Sequence, residues 1–269
     1  YLGMLREHRP DLSGLKLIVD SANGMGGYLA RELFGEAPEY LFEELDGSFP
    51  NHEPNPLAHE NLSVLKSRVV SEAADLGIAF DGDADRVMFI DERGTFVPPD
   101  LIIGVLGLHY HAQGHEKMRV VQDIRSSRSV GEFLAPFGAT MTTWKVGRAF
   151  ASEKLREIDA LFGGELAGHF YFREFYYSDS GMLAALKVLD VLARGKREGR
   201  SMSALIDQIR RYESSGEVNF KLERKQDAMD AVRTHFTTTM TPTALYDFDG
   251  YRIEFDDWWF NIRQSNTEP

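Results

Sequence analysis

A repeated order of short apolar runs, glycine-bearing or charged turns and amphipathic stretches constrains this chain more than any other feature. Residues 15–20 (LKLIVD) are followed by Ser21-Ala22-Asn23-Gly24-Met25-Gly26-Gly27 and helical spacing over 28–34; a strand-like run at 40–45 and a helix-like one at 62–74 come next. After Pro98-Pro99 the order resumes, with helix 100–111, strand 118–122, helix 127–137, strand 140–144, helix 148–157 and strand 160–162. Parallel strands need a long crossover, usually a helix, so the alternation predicts mostly parallel sheets with helices on both faces. In such sheets ligands gather beyond the carboxyl ends of the strands.

Other stretches set the boundaries. The prolines of Phe49-Pro50-Asn51-His52-Glu53-Pro54-Asn55-Pro56 exclude regular structure there. Helices over 179–192 and 201–211 flank a basic run, 194–200 (RGKREGR), read as a solvated turn. From about Tyr212 the pattern changes to a strand at 218–222, a helix at 226–236 and a hairpin from Asp249-Gly250 to Arg263. The expected architecture is two consecutive α/β domains with mixed or parallel sheets, residues 1–95 and 96–209, followed by a partial α+β module, residues 210–269.

Chemistry concentrates in Asp81-Gly82-Asp83-Ala84-Asp85-Arg86, directly after the apolar run 76–80. Three carboxylates at alternate positions repel one another unless a cation lies among them. Oxygen donors without Cys or His favour Mg²⁺ over Zn²⁺, and Mg²⁺ keeps coordination positions for water or a phosphate oxygen. Small residues at 82 and 84 let the backbone curl around an ion, and Arg86 adds a fixed cation suited to phosphate. An EF-hand would need flanking helices, whereas LGIAF and RVMFID read as strands. Charged loops also follow the later strands: Asp123-Ile124-Arg125, Lys145-Val146-Gly147-Arg148, and Gly163-Gly164-Glu165-Leu166-Ala167-Gly168-His169. His169 is a candidate proton shuttle or phosphate partner, and Glu165 a candidate acceptor for sugar hydroxyls. Arg263-Gln264-Ser265-Asn266-Thr267 offers guanidinium, hydroxyl and amide groups of the kind that hold phosphate.

The net charge of −12 argues against a general affinity for nucleic acid or anionic membrane. The absence of cysteine excludes disulfides and thiolate chemistry and accords with a cytoplasmic location, and no apolar run is long enough for a membrane helix.

Taken together, these loops resemble the α-D-phosphohexomutase family, and most of all its bacterial phosphomannomutase/phosphoglucomutase branch. The 81–86 loop resembles the family's Mg²⁺ loop, 164–169 its sugar-recognition loop, usually G-E-M-S-G-H, and 263–269 its phosphate clamp. The resemblance implies the second, third and most of the fourth of four domains. It implies an isomerase that interconverts hexose 1- and 6-phosphates of mannose or glucose through a phosphoserine and a hexose 1,6-bisphosphate. By the same resemblance Asp81, Asp83 and Asp85 hold Mg²⁺, Arg86 braces that site, and Arg125 and His169 assist transfer or contact phosphate. Glu165 reads sugar hydroxyls, and Arg263, Ser265, Asn266 and Thr267 grip the non-reacting phosphate. Two positions depart from the pattern: Ala167 stands where a sugar-binding Ser is usual, and Arg148 stands in V-G-R-A-F where V-G-H-A-F is usual. No T-A-S-H-N-P-like serine loop is present, so the 269 residues alone are expected to be inactive. A monomer or dimer that binds hexose phosphate is expected. The alternatives are a haloacid-dehalogenase-type Mg²⁺ phosphatase, whose D-x-D loop also follows a strand, and a non-catalytic sugar-phosphate-binding fragment.

Overall fold

The computed structural model describes residues 1–264; Ser265, Asn266 and Thr267 of the expected phosphate clamp lie outside the described residues. In chain order the first part contains α1 (Leu2–Glu7), β1 (Leu17–Asp20), α2 (Gly26–Phe34), β2 (Glu39–Leu41), α3 (Ser63–Ser71), β3 (Leu76–Phe80), β4 (Val87–Asp91) and β5 (Phe96–Val97). These strands form one sheet in the order β2-β1-β3-β4-β5. The run from β1 to β3 is parallel, with Val19 opposite both Tyr40 and Ile78, whereas β4 and β5 return antiparallel.

The second part contains α4 (Pro99–Ala112), β6 (Met118–Asp123), α5 (Arg128–Leu134), β7 (Ala139–Trp144), α6 (Arg148–Glu157), β8 (Phe162–Gly164), β9 (Phe170–Phe172), β10 (Ser178–Asp179), α7 (Gly181–Arg197) and α8 (Met202–Ile209). Its sheet runs β10-β9-β8-β6-β7, parallel over β8, β6 and β7 and antiparallel at β9 and β10. Both sheets are therefore mixed, within the expected class of mixed or parallel sheets, and loop length explains the antiparallel returns. Only residues 81–86 separate β3 from β4, and only 165–169 separate β8 from β9. Connections that short cannot make a parallel crossover, so the strand must turn back and hold its loop at the sheet's end.

Local chemistry fixes the helix starts. Ser127, Ser180 and Ser201 cap α5, α7 and α8 by accepting the N–H groups of Ser129, Leu183 and Ala204, and Pro99 opens α4. Helix α7 is buried along most of its length and packs against α4, α1 and β4. One apolar core runs from Leu17, Val19 and Phe89 of the first sheet through Leu183 and Leu186 of α7 to Ile102 and Phe162 of the second part. Each fully buried Leu or Phe contributes about 1.5–3 kcal/mol, so this shared core holds the two sheets together.

Other expectations are corrected. The basic run 194–200 is helical as far as Arg197, because Arg194 pairs with Asp190 and Lys196 with Asp75, and cations near a helix C-terminus are favoured. Residues 218–222 form no strand; Val218, Phe220 and Leu222 stand exposed, since alternation makes a strand only where a neighbouring strand supplies hydrogen bonds. Beyond them lie α9 (Lys225–Thr239), β11 (Ala244–Tyr246), β12 (Tyr251–Glu254) and β13 (Trp259–Ile262), the strands forming an antiparallel sheet in that order.

This small module docks on the second sheet through Arg252, whose side chain is almost wholly buried. Its Nη1 donates to the carbonyls of Ile124 (2.8 Å) and Ser126, and its Nε lies 2.7 Å from Glu254 Oε1. Arg252→Ala would leave two carbonyls and a carboxylate without their donor, at a cost of about 3 kcal/mol. We expect faster proteolytic cleavage within 210–224 and a separate early unfolding transition for the module; unchanged cleavage and a single unshifted transition would contradict the docking role.

Candidate active site

The acidic loop is built at the β3–β4 turn. Asp81 is 3% exposed, and its Oδ1 and Oδ2 accept hydrogen bonds from Arg86 N (3.1 Å) and Arg86 Nε (2.6 Å). Ala84 adopts a left-handed conformation at φ 62°, uncommon for a residue other than glycine, which tightens the turn. The carboxylates of Asp81, Asp83 and Asp85 each offer an oxygen within 4.8 Å of the others. At that separation each ionised pair costs roughly 3 kcal/mol at an effective dielectric of about 20. Arg86 offsets part of the cost, and the remaining all-oxygen donor set fits a hard divalent cation such as Mg²⁺.

Two close backbone approaches hold this loop. A methyl group on Gly24 would lie 2.5 Å from Gly82 O, and Met25 N donates to the same oxygen at 2.9 Å. A methyl on Gly181, the first residue of α7, would lie 2.8 Å from Ala84 O. Glycine is required at both places because backbone meets backbone there.

The 164–169 loop is tied directly to the acidic one. Glu165 N donates to His169 O (2.9 Å) and Gly168 N to Glu165 O (3.0 Å), closing the turn; Val87 N then donates to Gly168 O (3.2 Å), and Arg86 pairs with His169 as an isolated antiparallel bridge. Glu165 is buried, and its Oε1 accepts from Gly147 N (3.1 Å) and Tyr171 Oη (3.2 Å). Burial, and then the Asp123 charge, push its carboxyl above the usual range. Asp123 accepts from Arg125 N, Arg125 Nη2 and Leu166 N, each at 2.7 Å, so one carboxylate orients both Arg125 and the turn that carries Ala167.

Buried Asp179 sits behind His169. Its Oδ2 lies 2.8 Å from His169 Nδ1, and its Oδ1 lies 2.8 Å from Arg148 Nε. Burial opposes charge on His169, but Asp179, followed by Asp85, outweighs it and raises the imidazole pKa. Asp85 lies 3.5 Å from His169 Nδ1 and 3.8 Å from Arg148 Nη1. Burial, reinforced by Asp81, Asp83 and Asp179 against the pull of His169, pushes its carboxyl up to about 6.

Asp81, Asp83, Asp85, Arg86, Arg125, Arg148, Glu165, Ala167 and His169 thus lie on four loops linked by hydrogen bonds or ion pairs. Arg263 reaches the same region indirectly. Its Nη2 lies 3.3 Å from Asp249 Oδ1, and Asp249 Oδ2 accepts from Val146 N at 2.8 Å. Sequence reasoning named Asp123 only as part of a charged loop and gave no site role to Asp179 or Asp249. Asp179 precedes Ser180-Gly181 and a long apolar stretch, so it reads as part of a helix start; Asp249 before Gly250 reads as a hairpin turn.

Comparisons with known proteins show the family of the chain. The family model for phosphoglucomutase/phosphomannomutase alpha/beta/alpha domain II matches residues 1–94, and that for domain III matches residues 98–212. The chain belongs to the phosphoglucomutase/phosphomannomutase family. It is 37% identical over 265 residues to a phosphohexose mutase of Xanthomonas campestris pv. campestris (strain B100), covering 97% of this chain and 58% of that protein. It is 35% identical over 273 residues to the phosphomannomutase of Escherichia coli (strain K12), covering 96% and 58%. The crystal structure of a phosphoglucomutase/phosphomannomutase family protein from Burkholderia thailandensis superimposes with a TM-score of 0.87 at 29% identity, covering all of this chain and 57% of that one. The chain therefore spans under two thirds of the length of these relatives. The family assignment replaces the haloacid-dehalogenase alternative.

Because Asp85 takes a proton at about pH 6, protons compete with a cation for it below that value. Calorimetric titration should show Mg²⁺ affinity level above pH 7 and about tenfold weaker at pH 5, with the fall abolished in Asp85→Asn, which binds weakly throughout. A pH-independent affinity in the unsubstituted chain would contradict this.

Proposed function

We propose that the protein to which these residues belong interconverts hexose 1-phosphate and hexose 6-phosphate, with mannose and glucose as the sugars. The observation that carries this reading is the hydrogen-bonded union of the acidic loop and the 164–169 loop, Val87 N to Gly168 O with Arg86 bridged to His169. It supports the reading because three clustered carboxylates, an arginine and the buried Glu165 carboxylate lie along one hydrogen-bonded edge. Phosphoryl transfer is mainly positioning and charge stabilisation, which such an edge supplies.

In this reading Asp81, Asp83 and Asp85 hold Mg²⁺, which neutralises charge on the phosphoryl group when bound. Arg86 orients Asp81 through its backbone N–H and Nε. His169, held by Asp179, moves a proton at the attacking or leaving sugar oxygen. Arg125 and Arg148 add positive charge where phosphate enters, Glu165 accepts sugar hydroxyls, and Arg263 with Ser265, Asn266 and Thr267 takes the phosphate that does not react. The phosphoryl donor is a phosphoserine outside residues 1–269, and hexose 1,6-bisphosphate is the intermediate that turns over in the cleft. Residues 1–269 alone are then a metal- and sugar-phosphate-binding unit. The family relationship, the match of the interior motifs apart from Leu166, Ala167 and Arg148, and local positive charge on a chain of net charge −12 support the assignment.

A coupled assay of the whole protein with mannose 1-phosphate or glucose 1-phosphate, Mg²⁺ and a trace of the bisphosphate tests the reaction. Turnover lost on Glu165→Gln supports the reading; turnover unaffected by that substitution would remove Glu165 from it, and no turnover with either sugar would end it. Ala167→Ser restores one hydroxyl facing the sugar and should tighten hexose-phosphate binding about two- to tenfold by calorimetry, the worth of one hydrogen bond.

A further inference from the structure

Asp85 belongs to two different groups of potential ligands. With Asp81 and Asp83 it makes the oxygen-only set; with His169 and Asp179 it makes a second set whose Nδ1 and carboxylate oxygens also lie within 4.8 Å of one another. The second set contains an imidazole nitrogen, and that changes its chemistry. Imidazole suits Zn²⁺, Co²⁺ and other later transition metals, whereas Mg²⁺ takes oxygen. We propose that His169, Asp179 and Asp85 form a transition-metal site that competes with the Mg²⁺ loop by taking Asp85 away from it. The inference does not rest on the mutase reading.

Beyond proximity, the hydrogen bonding of the set points to a cation. Asp179 is 4% exposed, and neither of its oxygens, nor Nδ1 of His169, has a hydrogen bond of acceptable angle although the ion-pair distances are 2.8 Å. Buried polar atoms that converge at short range without hydrogen-bond alignment are unusual, and a cation between them would satisfy all three at once. Bonds of about 2.0–2.2 Å would set the ligand atoms roughly 3.3 Å apart, so the present spacings of 2.8 and 3.5 Å need only small adjustment.

The frame is rigid on every side. His169 is bridged to Arg86, Asp179 pairs with Tyr171 across β10 and β9, and Ser180 N donates to Phe170 O at 3.0 Å. The one movable occupant is Arg148, whose side chain is 61% exposed and can swing into water when a cation replaces its hold on Asp179. Because the two sets share Asp85, an ion in one competes for its oxygens and repels an ion in the other, which weakens binding there.

Co²⁺ titration of the 269-residue chain in excess Mg²⁺, followed by its visible absorption, tests the site. Expected is a saturable band that is lost or at least about tenfold weaker in Asp179→Asn and in His169→Gln but retained in Asp83→Asn. Arg148→Ala, a change at an exposed position, should tighten Co²⁺ binding severalfold by removing the competing cation. It keeps the test decisive if Asp179→Asn fails to fold. A band abolished by Asp83→Asn and indifferent to Asp179→Asn would place the ion in the acidic loop and overturn the proposal. So would Co²⁺ binding unchanged or weakened in Arg148→Ala, or the absence of any band in the unsubstituted chain.

Discussion

The candidate site depends on a short stretch of backbone pairing, Val87 N to Gly168 O with Arg86 opposite His169. These groups belong to different sheets, yet they meet as neighbouring strands would. Each sheet contains a strand, β4 or β9, that turns back antiparallel on the strand before it, and the two turns meet through this pairing. A sheet that continued in parallel would have sent the chain away through a crossover at each of these points. The short 81–86 and 165–169 connections are thus the reason the two halves share a chemical edge as well as a core.

Crowding anions on that edge is costly, and the surroundings show how the cost is carried. Asp81, Asp123 and Asp179 are buried carboxylates, each with an arginine or histidine at ion-pair distance: Arg86, Arg125, and Arg148 with His169. A buried charge is tolerable only when it is paired in this way. Asp85 is the member least well served, since burial and three neighbouring carboxylates outweigh His169, and its carboxyl rises accordingly.

How much of this the sequence discloses depends on how local each cause is. The acidic loop is legible because alternate carboxylates, small spacers and flanking apolar runs lie within a dozen residues. The strand alternation and Ser-capped helices are legible for the same reason. The direction of β4 and β9 follows from loop length, a local quantity that the alternation of helices and strands hides. Asp123, Asp179 and Asp249 are not legible, because each looks like an ordinary turn or cap residue and acquires its role only from groups distant in the chain: Leu166 N, Arg148 and Val146 N. The strand expected at 218–222 fails for the complementary reason. Its pattern is local, but a strand needs a partner edge, and among the described residues none pairs with it.

Arg148 shows how a departure from a family pattern can be read physically. A histidine at this position would change charge near neutral pH and would offer a single ring nitrogen at a time to Asp179. The arginine stays charged throughout that range and spreads its donors over a planar fork, so Nε lies 2.8 Å from Asp179 while Nη1 lies 3.8 Å from Asp85. With the side chain so exposed, these contacts are screened and add little to stability. Their effect is on charge balance instead. Arg148 supplies a constant positive charge between the two carboxylates that flank His169, which leaves the imidazole to carry the pH-dependent part. Because its stem is free to move, it can also yield that place to another cation without disturbing the backbone that positions the edge.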